Sequence, residues 1–265
     1  MILSISNIAW PAEKDEAVFK LMKKHCFSGL EIAPTRVFPD NPYEDLSAAG
    51  NWKEGLQERY GFVIPSMQSI WYGRKEKLFG TETEREILLS YTKKAVDFAQ
   101  TIGCGNLVFG CPVNRAIPED GNAETAVRFF REIGEYAYEH QTVLAIEANP
   151  PIYNTNFINT TDEAFDLVKA VDSKGCLLNL DLGTMIENEE SVEILRGKTG
   201  LINHVHISEP GLKPVRKRSL HKQLAGLLRD EGYNKAVSIE MGRQEDMEQV
   251  DAVMGYVRSL FEGEC

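Results

Sequence analysis

The chain has 265 residues, 43% apolar and 26% charged, and its 40 acidic against 29 basic side chains give a formal net charge of −11. That composition excludes intrinsic disorder and suits a globular chain able to bury most of its unfolded surface. The acidity excludes nucleic acid as an expected partner, and the lack of any run near the roughly eighteen apolar residues of a membrane span excludes a membrane partner.

The predicted elements alternate along the chain. Strands are expected at 2–8 (ILSISNI), 29–33 (GLEIA), 63–68 (VIPSMQ), 106–110 (NLVFG), 143–148 (VLAIEA), 177–182 (LLNLDL), 202–207 (INHVHI) and 236–240 (AVSIE), each a short apolar run rich in β-branched residues. Helical patterns fill the intervals at 13–26, 45–60, 82–102, 123–140, 161–172, 189–196 and 219–231, and an eighth at 245–262 closes the chain. One start signal is Thr161-Asp162-Glu163 ahead of the apolar face Ala164, Phe165, Leu167 and Val168. Eight strand–helix units of about 33 residues each predict a parallel sheet closed into a single (β/α)8 TIM barrel, with residues 1–265 as one domain. No Gly-x-Gly-x-x-Gly follows the first strand and no Gly-x-x-x-x-Gly-Lys occurs, so the usual dinucleotide and nucleotide loops are missing. Cys26, Cys104, Cys111, Cys176 and Cys265 are odd in number and scattered, which predicts buried free thiols rather than a disulfide framework or zinc knuckle. The start MILSISNIAWP lacks the basic flank and cleavage site of a secretory signal, and a cytoplasmic location is expected.

Chemistry in such a barrel belongs at the C-terminal ends of the strands. There the fifth to eighth predicted strands carry Glu147, Asp181, a histidine and Glu240, each set into or after an apolar run. A lone acid at a strand end is ordinarily a helix cap or a solvated side chain. Three buried acids converging at one end are costly unless a cation compensates them. Three carboxylates and an imidazole suit one divalent ion, Mn²⁺ first among Mn²⁺, Mg²⁺, Co²⁺ and Zn²⁺, since zinc would favour a Cys ligand. His204 and His206 share a strand face, and periodicity alone leaves both open as the ligand.

The segments LAIEANP, LNLDLGTM, INHVHISEP and VSIEM resemble the sugar phosphate isomerase/epimerase group of xylose-isomerase-like barrels, which includes ketose 3-epimerases and inosose dehydratases. The resemblance implies that Glu147, Asp181, His206 and Glu240 bind one divalent metal. His206-Ile-Ser-Glu209 matches the family's His-x-x-Glu, which makes His206 the ligand and His204 a structural neighbour. It further implies an isomerase or epimerase of a sugar or sugar derivative, working through a metal-stabilised enediolate with Glu147 and Glu240 as paired acid/base. The alternatives are a metal-dependent dehydratase acting on a keto-inositol or keto-sugar, and a non-catalytic barrel scaffold. Two departures argue against a free ketohexose. Thr184 stands where those epimerases place a substrate-contacting histidine, and the arginine after their His-x-x-Glu has no clear counterpart beyond Glu209. A relative that holds three zinc ions, the apurinic endonuclease group, needs more histidines than the five present, of which His25 and His140 fall in or at the ends of helices.

Around this centre, Arg36 and Arg115 sit in loops on the catalytic face, placed to contact substrate or to pair with a rim acid. Trp10, Phe38, Trp71, Tyr72, Tyr153 and Phe157 are candidates for an apolar wall against a sugar, or for loop and oligomer anchors. Asn149 and Asn154 are candidates for hydroxyl recognition, Glu31 and Gln68 for polar lining, and Glu209 and His221 for substrate contact. Lys213, Arg216, Lys217, Arg218 and Lys222 read as a solvated charge run, with a phosphate or carboxylate site as the alternative. The expected partner is a small-molecule sugar, and the sequence is compatible with a homo-oligomer.

Overall fold

The computed structural model describes residues 1–261. Its strands are β1 (Ile2–Ser6), β2 (Gly29–Glu31), β3 (Leu107–Phe109), β4 (Leu144–Glu147), β5 (Cys176–Asp181), β6 (Ile202–Ile207) and β7 (Ala236–Ile239). All pair in parallel, in the order β2-β1-β7-β6-β5-β4-β3. The helices are α1 (Asp15–Lys24), α2 (Pro34–Val37), α3 (Leu46–Tyr60), α4 (Glu82–Ile102), α5 (Glu124–Glu139), α6 (Thr161–Val171), α7 (Leu182–Glu187), α8 (Ser219–Asp230) and α9 (Met247–Leu260).

The stretch expected as the third strand, 63–68, makes only isolated bridges: Val63 with Gly29, and Met67 with both Ile32 and Leu107. Pro65 supplies the reason, because it has no N–H to continue a ladder. The stretch still joins the two edges of the sheet. Leu30 N–H donates to Val63 O at 2.9 Å, and Val108 N–H donates to Met67 O at 2.8 Å. Seven regular strands and this bridging eighth stave form an α/β TIM barrel. At Gly29 a Cβ would stand 2.8 Å from Ser4 Cβ and 2.9 Å from Ile2 Cγ2, so only glycine lets β2 lie this close to β1.

Local signals explain where the helices begin. Thr81 with Glu84, and Thr160 with Glu163, form reciprocal capping boxes at α4 and α6. The helix expected at 189–196 is a correction: α7 starts directly off β5, capped by Asp181, and only a short 3-10 turn follows at Val192–Leu195. The large helices turn Phe98, Phe130 and Phe165 onto the outside of the sheet, where all three are fully buried. Cys104, Cys111 and Cys176 are free thiols, Cys111 half-buried. Cys26 is disulfide-bonded, which corrects the expectation of a free thiol there, and Cys265 lies outside the described residues. Among the described residues no helix is long and apolar enough to cross a membrane.

Candidate metal centre and active site

Alternation along a strand sends every second side chain toward the barrel axis. Asn179 and Asp181 of β5, and His204 and His206 of β6, therefore share the inner face. The parallel register sets Glu147 level with Asn179 and Asp181 level with His206. Glu240 follows β7 directly, its N–H donating to Ile207 O at 3.0 Å. Donor atoms of Glu147, Asp181, His206 and Glu240 all lie within 4.8 Å of one another. The exposures of the four residues are 8%, 9%, 0% and 8% in that order, so the cluster is nearly closed to water.

These residues fit a divalent cation. His206 turns Nδ1 toward Glu147 Oε1 at 3.0 Å and Glu240 Oε2 at 3.2 Å, while Nε2 is held 3.0 Å from Glu31 Oε2. An imidazole fixed through one nitrogen by a carboxylate and presenting the other to an acidic cluster is the usual arrangement of a metal-ligating histidine. Burial and the charge of Glu147 push Asp181 up to about 6, against the pull of His206 and hydrogen bonds from Ser208 and Thr184. Burial also raises Glu240 to about 7, opposed by His206 and reinforced by the charges of Glu147 and Asp181. Carboxyl groups raised this far resist carrying full negative charge together, and a cation removes that conflict. Burial opposes charge on His206 as well, but Glu240 and Glu31 outweigh it and hold the imidazole well above its usual range.

A supporting layer holds these four side chains. Asn179 Nδ2 donates to Glu147 Oε1 at 2.7 Å, and Asn149 Nδ2 donates to Oε2 at 3.2 Å. Asp181 accepts from Thr184 N–H at 2.7 Å, from the Thr184 hydroxyl at 3.0 Å and from the Ser208 hydroxyl. Glu31 Oε2 accepts from both His204 and His206. Burial opposes its ionisation, but the charge of His206 and the two imidazole hydrogen bonds hold its carboxyl well below the usual range. A Cβ at Gly110 would stand 2.8 Å from Glu147 Oε2, so this glycine leaves room for the carboxylate. Asn179 and Ser208 carry no charge to mark them in the sequence, although each lies two residues from a member of the cluster, on the same strand face or just past the strand's end.

The remaining sequence candidates divide. Gln68, Asn149 and Glu209 line a cavity of about 200 Å³ with the carboxylates of Glu147, Asp181 and Glu240, together with Tyr153 and Cys111. Gln68 Nε2 also donates to Ser6 Oγ at 2.8 Å. Glu209 accepts from Arg218 Nε at 2.7 Å and from Arg216 N–H at 3.2 Å; burial opposes its charge, but these bonds and the Arg218 charge hold it below its ordinary value. Arg36 is an ion pair with Asp15 lying over the Trp10 ring, and it lines a neighbouring cavity.

Three expected contacts are corrected. Trp71 turns into the helix layer, edge-on to Phe109 and Phe129, with its indole N–H donating to Thr92 at 2.8 Å. Arg115 is buried beneath the loop after β4, where it donates to Glu147 O at 2.8 Å, Asn149 Oδ1 at 3.0 Å and Ile158 O at 3.2 Å. Its guanidinium braces the loop, and burial lowers it to about 10. His221 packs against Tyr256, Nδ1 3.0 Å from the hydroxyl, and burial pushes it down to about 4. None of the basic run 213–222 lines the cavity around the ligands.

The chain belongs to the xylose isomerase-like TIM barrel family, which matches residues 19–260. Its fold is similar to that of D-psicose 3-epimerase from Clostridium cellulolyticum H10, solved with D-tagatose, at a TM-score of 0.80 and 18% identity over 99% of this chain and 100% of that one. It is also similar to the 3-keto-D-glucoside 4-epimerase YcjR from E. coli, with a TM-score of 0.77 and 20% identity over 98% and 99% of the two chains. A family 2 AP endonuclease from Brucella melitensis shares the fold at a TM-score of 0.73 and 17% identity, over 97% and 98%. No curated protein matches the chain by sequence.

Proposed function

We propose that the protein, with residues 1–265 as one domain, is a divalent-metal-dependent isomerase or epimerase of a sugar or sugar derivative. The convergence of Glu147, Asp181, His206 and Glu240 within 4.8 Å carries this reading. The four would hold one ion, Mn²⁺ by preference, with Mg²⁺, Co²⁺ or Zn²⁺ as substitutes. That cation, when bound, supplies polarisation of a substrate carbonyl and stabilisation of the negative charge that develops on its oxygen. Fold neighbours that act on ketoses and keto-glucosides support a sugar as substrate over a nucleic acid.

Glu147 and Glu240 are the acid/base pair. They come from β4 and from the end of β7, with β5 and β6 between them, and they flank the His206 Nδ1 from two sides. One takes the proton from the carbon next to the carbonyl, and the other returns a proton to the opposite face. Return to the same carbon inverts it, and return to the neighbouring carbon moves the carbonyl. Asn149 and Asn179 fix the Glu147 carboxylate from both oxygens. Val108, Pro112 and Leu212 supply apolar wall to the cavity and limit water around the reacting carbon.

A second reading shares the same enolate: the hydroxyl of the next carbon of a keto-inositol or keto-sugar leaves as water, protonated by whichever of the two glutamates holds the proton. Thr184, its hydroxyl committed to Ala148 O at 2.7 Å and to Asp181, brings no imidazole to the substrate, which argues against a free ketohexose in either reading. Product mass separates the two, since isomerisation preserves mass and dehydration loses water. The test of the shared chemistry is exchange of a substrate C–H with solvent deuterium in Mn²⁺-loaded protein, over a panel of ketoses, ketose phosphates and inososes. Glu240→Gln is expected to lower exchange by about 10²–10⁴-fold. Exchange kept in both Glu147→Gln and Glu240→Gln overturns the paired-base scheme.

A further inference from the structure

A second cavity opens on the catalytic face. It measures about 800 Å³ against about 200 Å³ for the one around the metal ligands, and Ser69 lines both. Sites for drug-sized ligands run about 300–1,000 Å³. The inner cavity is thus matched to a single small ring, and the outer one has room for another unit attached to it.

The chemistry of the two linings narrows what that unit is. Four carboxylates and no lysine or arginine line the inner cavity, so a phosphate there would face like charge. The outer cavity carries Arg36, Arg74 and Arg243, yet each guanidinium already faces an acid. Arg36 pairs with Asp15, Arg74 Nε donates to Glu76 at 3.0 Å, and Arg243 Nε lies 2.9 Å from Glu245. Paired in this way, the arginines offer planar faces and spare N–H groups rather than net positive charge. Arg36 lies over Trp10 and Arg74 over Tyr91, which gives rigid flat walls. Tyr72, 70% exposed, stands at the rim. An exposed aromatic ring beside neutral hydrogen-bonding groups such as Thr35 and Asn41 matches the alternating C–H face and hydroxyl edge of a sugar ring.

We propose that the outer cavity is a second sugar subsite, and that the substrate is a keto-sugar bearing a further uncharged glycosyl unit which packs on Tyr72. The subsite rests on the reading of the inner cavity as the metal-dependent sugar site. It is tested by equilibrium binding, which needs no turnover. Mn²⁺-loaded protein is titrated with D-fructose, with D-fructose 6-phosphate, and with the ketose disaccharides turanose, lactulose and isomaltulose. At least one disaccharide is expected to bind tenfold or more tightly than D-fructose, and the phosphate no more tightly than D-fructose. Tyr72→Ala brings the disaccharide-to-fructose ratio to within threefold of unity, whereas Tyr72→Phe, which keeps the ring, preserves it. Disaccharides that bind no better than D-fructose, a preference for the phosphate, or a ratio indifferent to Tyr72→Ala overturns the subsite. Disaccharide binding through Tyr72 without deuterium exchange in any bound sugar keeps the subsite and overturns the reaction, so the two failures are distinct.

Discussion

The two halves of the ring are built for different work. From β4 to β7 the strands bring Glu147, Asp181, His206 and Glu240 into one cluster, and its three carboxylates line a single small cavity. The loops after β1, β2 and the bridging stretch 63–68 deliver Trp10, Arg36 and Tyr72 to a cavity about four times larger, and its guanidinium groups are neutralised by neighbouring acids. Behind the cluster the first half contributes Glu31, which stands against His206 with no exposed surface. On the proposed reading, reaction chemistry needs closely spaced charge that a cation relieves, whereas selection of the rest of the substrate needs area and neutral contacts. One ring provides both because adjacent loops open on the same face.

The sharpest way to break this contrast is to remove a ligand from the second half. Mn²⁺ at about a hundred times its dissociation constant stabilises the protein by roughly 2.7 kcal/mol, a rise of about 5 °C or more in melting temperature. Asp181→Asn abolishes that rise, as read by calorimetry with and without chelator. A Mn²⁺-dependent rise of the wild-type size in the variant would place the ion elsewhere. A smaller effect is expected from the first half. Glu31→Gln removes the carboxylate behind His206 and weakens Mn²⁺ binding by about 10–100-fold. Unchanged Mn²⁺ affinity in a folded Glu31→Gln protein would leave the first half with no part in the metal centre.

The second half is also the more legible in sequence. Strand β6 matches its expected range of 202–207, and imidazoles interrupt its apolar run, although spacing leaves His204 and His206 alike and only the resemblance of His206-Ile-Ser-Glu209 to the family's His-x-x-Glu points to His206. Asn179 and Ser208 carry the same signal in a weaker form: they follow the two-residue alternation but are uncharged, so they read as ordinary strand polarity. The first half resists such reading. Residues 63–68 have a strand's composition, yet Pro65 breaks the ladder, and the stretch is defined only by the edges it bridges. The sequence pattern sets a helix only at 189–196, whereas α7 begins at Leu182, because Asp181 serves at once as a strand end and as the cap of the helix that follows. The outer cavity is gathered from isolated loop residues whose convergence depends on closure of the ring, which no local pattern encodes.

The smallest predicted effect separates neighbours within the first half. Trp71 and Tyr72 are adjacent in sequence, and both are loop aromatics by composition. The chain turns Trp71 inward, 2% exposed, and leaves Tyr72 70% exposed at the cavity rim. Trp71→Phe keeps a ring against Phe109 and Phe129 and loses only the outer indole ring and its bond to Thr92. The expected cost is about 1–2 kcal/mol of stability, or roughly 2–8 °C in melting temperature, with sugar affinity and exchange rate within about twofold of wild type. A Trp71→Phe protein that melts normally but loses sugar affinity would put this ring in the binding wall. The line between packing and recognition would then run between residues other than 71 and 72.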